Sequence, residues 1–268
     1  MTSRATAWAA HVVASACFLV AAAAGNFLTD VRPVFGGSRV NISGDGTLMA
    51  LSLDQGSGSG VETQNAMFGR FDVRMKLVPG DSAATVTAFY LTSGAPPQNE
   101  VDLEFLGNVS GQPYTLHTNV YVAGNGSREQ GFLLPFNPTQ DFHNYSILWN
   151  NLNTVFLVDG TAVRSFKNLK GLPYPGNLPM KVTISMWNST WSTKGTVVPD
   201  WSHAPFTAEF RDLSLDACSA PSSPAGNCTN QWLGTQIGVD RTTKAWKIYD
   251  YCTHNMNAVA VQECTRDA

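Results

Sequence analysis

The stretch FGRFDVRMKL, residues 68–77, alternates apolar and polar side chains. Successive side chains of a β-strand point to opposite faces of the sheet, so this period of two predicts a strand with one buried face. The sequence TVTAFYL, residues 85–91, is rich in β-branched and aromatic residues and predicts a second strand. The PGD sequence at 79–81 predicts the turn between them.

Short runs of the same kind continue along the chain, each bounded by turn residues. They lie at 101–106, 116–121, 143–149, 155–158, 163–166, 180–187 and 206–215. The sequence shows no internal repeat and no long helical period in this part. Many short strands with frequent turns predict an all-β fold, in which two antiparallel sheets pack as a sandwich with jelly-roll closure.

The composition is that of a folded domain with few charges. The chain has 268 residues, of which 43% are hydrophobic and 14% are charged, and its formal net charge is −3. Its 17 Lys and Arg residues form no basic run. Nucleic-acid binding needs a basic face to neutralise phosphates, so we expect no nucleic-acid partner.

The first 24 residues are typical of a secretory signal peptide. They contain one charge, Arg4, and an apolar run from Trp8 that ends in three alanines at 22–24, an A-x-A cleavage pattern. A membrane anchor is the alternative interpretation, but the run is short for a span of ~20 residues and His11 interrupts it. Cleavage here would leave a soluble secreted chain that begins at Gly25.

Four of the five cysteines, Cys218, Cys228, Cys252 and Cys264, lie in the last 51 residues. An oxidising compartment favours two disulfides, and their spacing matches no zinc-binding pattern. Three connectivities are possible, and sequential pairing is favoured because it closes short loops. We expect the sandwich to span 25–215, followed by a short disulfide-bonded C-terminal extension over 216–268, in which only 232–249 favours a short helix.

The densest acidic cluster is NEVDLEFLGN, residues 99–108. On a strand, Glu100, Asp102 and Glu104 share one face, and the apolar residues between them share the other. A solvated face opposite a core face would give the same pattern. Like charges two residues apart repel each other, however, so folding alone gives little reason for the row in a chain with so few charges.

The row fits the chemistry of a retaining glycosidase, which holds two carboxyl groups ~5–5.5 Å apart around the anomeric carbon. On an ideal strand the Cα atoms of Glu100 and Glu104 lie ~13 Å apart, and on a concave sheet their side chains could approach to roughly 6 Å. Crowding is expected to keep one proton in the group and to raise the pKa of the acid, with Asp102 coupled between the two glutamates.

At this point the sequence resembles a known family. The run EVDLEFLGN at 100–108 resembles the signature of plant xyloglucan endotransglucosylase/hydrolases, within glycoside hydrolase family sixteen. Further blocks are similar to that family over nearly all of the mature chain, among them LVPGDS at 77–82, YSILWN at 145–150 and IYDYCT at 248–253.

The resemblance implies a concave β-jelly roll and a retaining mechanism. Glu100 would be the nucleophile, Asp102 its helper, and Glu104 the general acid and base. The resemblance also implies a glycan on Asn108 and the sequential disulfide pairs described above.

Substrate-binding positions also follow from the resemblance, residue by residue. They are His117, Thr118, Asn119, Arg128, Glu129, Trp187, Trp191 and Gly195. Core packing is an equal alternative for Trp187. The sequence departs from the family before Trp191, where Ser189 and Thr190 replace an acidic pair. This departure bears on acceptor binding and substrate choice rather than on the carboxylate row.

The expected function is cleavage of the β-1,4-glucan backbone of xyloglucan, with transfer of the glycosyl group to another chain or to water. We expect a secreted monomer that acts in the cell wall and apoplast without a metal or cofactor. Two alternatives are a mainly hydrolytic β-glucanase of the same fold and a catalytically weakened lectin that binds wall polysaccharide.

Overall fold

The computed structural model describes residues 25–219, 231–254 and 258–267. The strands in these ranges are β1 (Arg32–Phe35), β2 (Val40–Ile42), β3 (Leu48–Leu53), β4 (Ser59–Lys76), β5 (Thr85–Thr92), β6 (Glu100–Leu106), β7 (Thr115–Tyr121), β8 (Gln130–Leu133), β9 (His143–Trp149), β10 (Asn153–Val158), β11 (Thr161–Lys167), β12 (Met180–Asn188), β13 (Phe206–Ser219) and β14 (Lys247–Asp250). The α-helices are α1 (Phe27–Asp30), α2 (Tyr251–His254) and α3 (Ala258–Asp267), and 3-10 helices lie at Gly37–Arg39, Thr190–Thr193, Trp201–His203 and Arg241–Trp246.

The strands form two antiparallel layers that share β4. The inner layer has the order β1-β4-β12-β5-β6-β7-β8-β14, and the outer layer has the order β11-β10-β9-β4-β13-β3-β2. The first half of β4 pairs with β12, and its second half pairs with β9 and β13. The predicted all-β jelly-roll sandwich is confirmed, although β1 to β3, β8, β14 and the early start of β4 were not predicted.

Strand β4 passes from one layer to the other at Phe68 and Gly69. Both residues have positive φ, 65° and 149°. A Cβ on Gly69 would lie 2.5 Å from the Cα of Ala217 on β13, so no larger residue fits here. The corner lets one strand close the sandwich, and it places the second half of β4 in the outer layer.

The core lies between the two layers. Val101, Leu103 and Phe105 on β6 are fully buried. The ring of Phe105 contacts that of Tyr145 on β9 edge to face, at 4.6 Å between centroids. Since these three residues face the core, the alternate residues of β6 must lie on the opposite side of the inner layer, here called the open face.

The C-terminal extension joins the edge of the inner layer, because β14 pairs with β8. The disulfide Cys252–Cys264 is present, as predicted. Cys218 is also disulfide-bonded, but Cys228 lies outside the described residues, so that pairing stays a prediction. The expected helical turn within 232–249 is a 3-10 helix at Arg241–Trp246, and α3 was not predicted.

The predicted signal peptide at 1–24 lies outside the described residues, and the domain boundaries at 24 and 215 stay predictions. Among the residues described, no helix combines the length and the apolar composition needed to cross a bilayer.

Candidate active site

Strand β6 carries the three acidic residues on the open face, near the middle of the inner layer. The cross-strand neighbours on β5 and β7 are Thr92 and Tyr121 for Glu100, Tyr90 and Asn119 for Asp102, and Ala88 and His117 for Glu104. The structure therefore places the three carboxyl groups in one line on one face, which we call the carboxylate row.

Asp102 is the most buried member of the row, with 6% of its surface exposed. Burial raises the pKa of Asp102 well above its usual value, and the charges of Glu100 and Glu104 raise it further. The positive charge of Arg164 opposes this effect in part. The protonated form of Asp102 is thus favoured, and in that form Asp102 can donate a hydrogen bond to a neighbouring carboxylate.

Glu100 is half-buried, and its pKa is also raised. Burial is the main cause, a hydrogen bond from the Thr92 hydroxyl opposes it, and the charge of Glu104 raises the pKa further. The ionisation of Glu100 therefore depends on that of Glu104. The pKa is thus raised at Glu100 and Asp102, and the charge of Glu104 contributes to both shifts.

Glu104 contacts His117 on β7, with 3.2 Å between Oε2 and Nδ1. The imidazole contacts the indole of Trp191 edge to face, at 5.0 Å between centroids. Trp191 lies in the 3-10 helix Thr190–Thr193 and is 50% exposed. These two rings form one side of the open face beside Glu104, with a free aromatic surface of the kind that suits a sugar ring.

Asn119 and Glu129 lie on the same side of the open face, next to Asp102. The Asn119 side-chain amide donates to Glu129 at 3.3 Å, and its oxygen accepts from the backbone N–H groups of Val120 and Arg128. Asn119 is only 3% exposed, so these bonds fix its orientation. Glu129 is half-buried and keeps oxygen atoms with which it can accept from sugar hydroxyls.

Two residues predicted to bind substrate lie elsewhere. Thr118 is fully buried and faces the core, because it falls on the other parity of β7 from His117 and Asn119. Its hydroxyl donates to the Gln130 carbonyl and accepts from Arg164. We therefore correct the expected role of Thr118 from sugar contact to core structure.

Arg128 also lies away from the open face. It is 5% exposed, and its Nε and Nη2 contact the Glu263 carboxylate of α3 at 2.9 Å. Its Nη1 donates to the carbonyl oxygens of Val120 and Asn125. The guanidinium is thus used within the protein, and the expected sugar contact by Arg128 is corrected to a structural ion pair.

Trp187 is half-buried on β12, and its side chain lies on the same face of the sheet as that of Ser185. Ser185 pairs with Ala88 on β5, which in turn pairs with Glu104 on β6. This placement puts the indole on the open face. Gly195 has a φ of 76° and donates its N–H to the Thr190 carbonyl at 2.7 Å. Gly195 therefore shapes the loop that carries Trp191.

Asn108 lies two residues after the end of β6 and is half-buried. Its side-chain amide donates to the Pro113 carbonyl at 3.0 Å. One amide hydrogen stays available, so this position is compatible with a glycan, which stays a prediction.

Several open-face residues were missed from the sequence. Tyr90 and Tyr121 flank the row, and burial raises the pKa of each phenol to about 12, with Glu100 and Asp102 contributing. Farther along the face, Glu62 on β4 forms ion pairs with Arg32 and Lys181. The period of two within β5 could have indicated Tyr90, whereas the other positions depend on the strand register.

Comparison with known proteins agrees with this geometry. A family model for glycosyl hydrolases family 16 matches residues 27–203. The probable xyloglucan endotransglucosylase/hydrolase protein 23 of Arabidopsis thaliana is 45% identical over 256 residues, which cover 89% of this chain and 90% of that protein. Xyloglucan endotransglucosylase protein 7 of Diospyros kaki is 44% identical over 251 residues, covering 87% and 93%.

The solved structure of a Bacillus licheniformis beta-glucanase is similar in fold. Its TM-score is 0.59 at 21% identity, and the match covers 72% of this chain and 94% of that one. The chain belongs to glycosyl hydrolases family 16 and, within it, to the xyloglucan endotransglucosylase/hydrolases. It is therefore an enzyme of glycosyl transfer or hydrolysis.

Proposed function

We propose that this enzyme cleaves the β-1,4-glucan backbone of xyloglucan with retention of configuration and transfers the glycosyl group to another xyloglucan chain or to water. The observation that carries the proposal is the carboxylate row on the open face of β6, in a chain 45% identical to a relative named for this activity. A polysaccharide is an extended ligand, and an open sheet face can bind it along its length.

In the first step, the Glu100 carboxylate attacks the anomeric carbon of the bound chain. Glu104 gives its proton to the glycosidic oxygen, which leaves with the departing part of the chain. This step gives a glycosyl ester on Glu100 and an ionised Glu104. His117, 3.2 Å from Glu104, can then donate a hydrogen bond to the newly formed carboxylate.

Asp102 acts between these two groups without bonding to the sugar. Because its protonated form is favoured, it can donate a hydrogen bond to Glu100 and orient the attacking oxygen. Since Glu104 is protonated when Glu100 attacks, a neutral Asp102 also avoids a second negative charge in the row. It thus supports an ionised nucleophile next to a protonated acid.

In the second step, Glu104 takes a proton from an acceptor hydroxyl, and the acceptor oxygen attacks the glycosyl ester and releases Glu100. A sugar hydroxyl gives transfer, and water gives hydrolysis. Trp191 and Trp187 lie on the Glu104 side of the open face, where the acceptor must approach. Their indole faces support acceptor sugar binding in place of water.

The site of action that we propose is the plant cell wall and apoplast, where the protein acts as a secreted monomer. The apolar N-terminal segment that ends in three alanines, the sequon at Asn108 and the Cys252–Cys264 disulfide support secretion. The substrate partner is xyloglucan or a related β-glucan, and neither a nucleic acid nor a membrane is a partner of the mature chain.

The test is incubation of the purified protein with xyloglucan and a fluorescent xyloglucan oligosaccharide, followed by size analysis. Label in the polymer shows transfer, and chain shortening without label shows hydrolysis. E100Q should lose both activities, while the matched variant E209Q, on the outer layer, should keep them. A wild-type protein that neither incorporates label nor shortens the polymer would refute the proposal.

A further inference from the structure

Arg164 on β11 is a buried cation that the steps above do not use. It is 3% exposed. Its Nη1 donates to the carbonyl and the hydroxyl of Thr118 at 3.0 and 2.8 Å, and its Nη2 donates to the Arg128 carbonyl at 2.6 Å. The guanidinium carbon lies 5.4 Å from the ring centroid of Phe156. In the described ranges, no carboxylate lies within ion-pair distance of this guanidinium.

A buried charge without a direct counterion is costly, so its position requires compensating charge farther away. The charged and titratable groups around Arg164 are Asp250, Tyr251, Arg128, Glu129, Glu263 and, across the sheet, Asp102. Two of these anions are already paired, Glu263 with Arg128 and Asp250 with Lys247. The unpaired negative charge near Arg164 is therefore that of Glu129 and the carboxylate row.

The strand register explains how Arg164 faces the row from behind. Thr118, which holds the guanidinium, pairs with Leu103 on β6, and the next pair is Asn119 with Asp102. The carboxylates occupy the open face of this pair of strands, and Arg164 occupies the core face. An arginine suits this position because its guanidinium stays protonated when buried, whereas a buried lysine loses its charge readily.

We propose that Arg164 is a positioning residue for the reaction: its positive charge, held beneath β7 by two carbonyl groups and the Thr118 hydroxyl, favours the ionised state of the carboxylate row on the opposite face. The catalytic consequence rests on the proposed function. Other charges that face Asp102 are Glu100, Glu104 and Glu129, all negative. Arg164 therefore opposes their effect and limits how far the pKa of Asp102 is raised.

The test compares R164Q, which keeps amide donors but has no charge, with the wild type. A unit charge ~10 Å away at an effective dielectric of about 20 shifts a pKa by about one unit. We expect the acidic limb of the kcat/KM profile, and the carboxyl ¹³C NMR titration of Asp102, to move upward by about one pH unit in R164Q. F156L is the structural control, since it weakens packing beneath Arg164 but keeps the charge, and its limb should not move.

The proposal is overturned if, in folded R164Q, the acidic limb of the kcat/KM profile and the Asp102 carboxyl titration both stay within ~0.3 pH unit of the wild type. An equal shift of both in F156L would also overturn it. If R164Q does not fold, ¹⁵N NMR of the Arg164 guanidinium in the wild type decides. In the wild type, its resonances should shift with pH as the carboxylate row ionises. In D102N, the part of that shift caused by ionisation of Asp102 should be absent. Resonances that stay constant with pH would contradict the proposal. The NMR readouts need no turnover, so they separate a failure of this proposal from a failure of the proposed function.

Discussion

Replacing Glu263 by Gln should lower the free energy of unfolding by about 3 kcal/mol, because it leaves the buried Arg128 cation without a counterion. The two side chains are 5% and 6% exposed, and two nitrogens of Arg128 contact the carboxylate at 2.9 Å. The Tyr251 hydroxyl also donates to Glu263, at 3.3 Å. Removal of one partner of a buried pair costs ~3–5 kcal/mol, and Gln keeps one acceptor, so we expect the lower end.

Thermal and urea unfolding measure this loss. For a domain of this size, ~1 kcal/mol corresponds to roughly 2–4 °C, so Tm should fall by about 6–12 °C. The matched control is E209Q, because the pair of Glu209 with Lys76 is one-third exposed and should be worth at most ~1 kcal/mol. A free energy of unfolding in E263Q within ~1 kcal/mol of the wild type would refute the reasoning that the extension is held by this pair.

Three further predictions follow from the same structure. Because the pKa of Asp102 is raised, the folded state keeps a proton there above pH ~4, so the free energy of unfolding should fall as pH rises from there through the raised pKa. Urea unfolding at several pH values should show a smaller fall in D102N than in the wild type, because Glu100 keeps its own raised pKa in both, and parallel curves would contradict the prediction. W191A should change the free energy of unfolding by less than ~1 kcal/mol, since Trp191 is half exposed. It should raise the KM for the acceptor about tenfold in transfer kinetics. An unchanged KM would exclude Trp191 as a binding surface. G69A should lower the free energy of unfolding by ~2 kcal/mol or more, because a Cβ would lie 2.5 Å from the Cα of Ala217. The control G37A has open space around the added Cβ and should stay within ~0.5 kcal/mol of the wild type in thermal unfolding. Equal Tm values for the two variants would contradict the role of the corner at Phe68 and Gly69.

The sequence predicted the strands that alternate strictly and the face that carries the acidic residues. The period of two in β6 is a local property, so it placed Val101, Leu103 and Phe105 in the core without knowledge of the partner strands. The same rule applied to β7 would have placed Thr118 in the core. The resemblance instead gave three consecutive residues one role, which a strand cannot satisfy.

The sequence could not predict contacts that depend on distant parts of the chain. Arg128 meets Glu263 across 135 positions, and Arg164 meets Thr118 across 46. A charged residue in a polar loop normally indicates a solvated side chain, so its burial depends on where the extension packs. The long strand β4 was also missed in part, because its passage at Phe68 and Gly69 joins two layers that sequence periodicity treats separately.

The central claim is that Glu100 is the group that bonds to the sugar. The most direct measurement is to trap the intermediate with a 2-deoxy-2-fluoro glycoside of a xyloglucan oligosaccharide and to identify the modified peptide by mass spectrometry. We predict one adduct, on Glu100, in the wild type and in E209Q. An adduct on another carboxylate, or a fully active enzyme that forms none, would contradict the account.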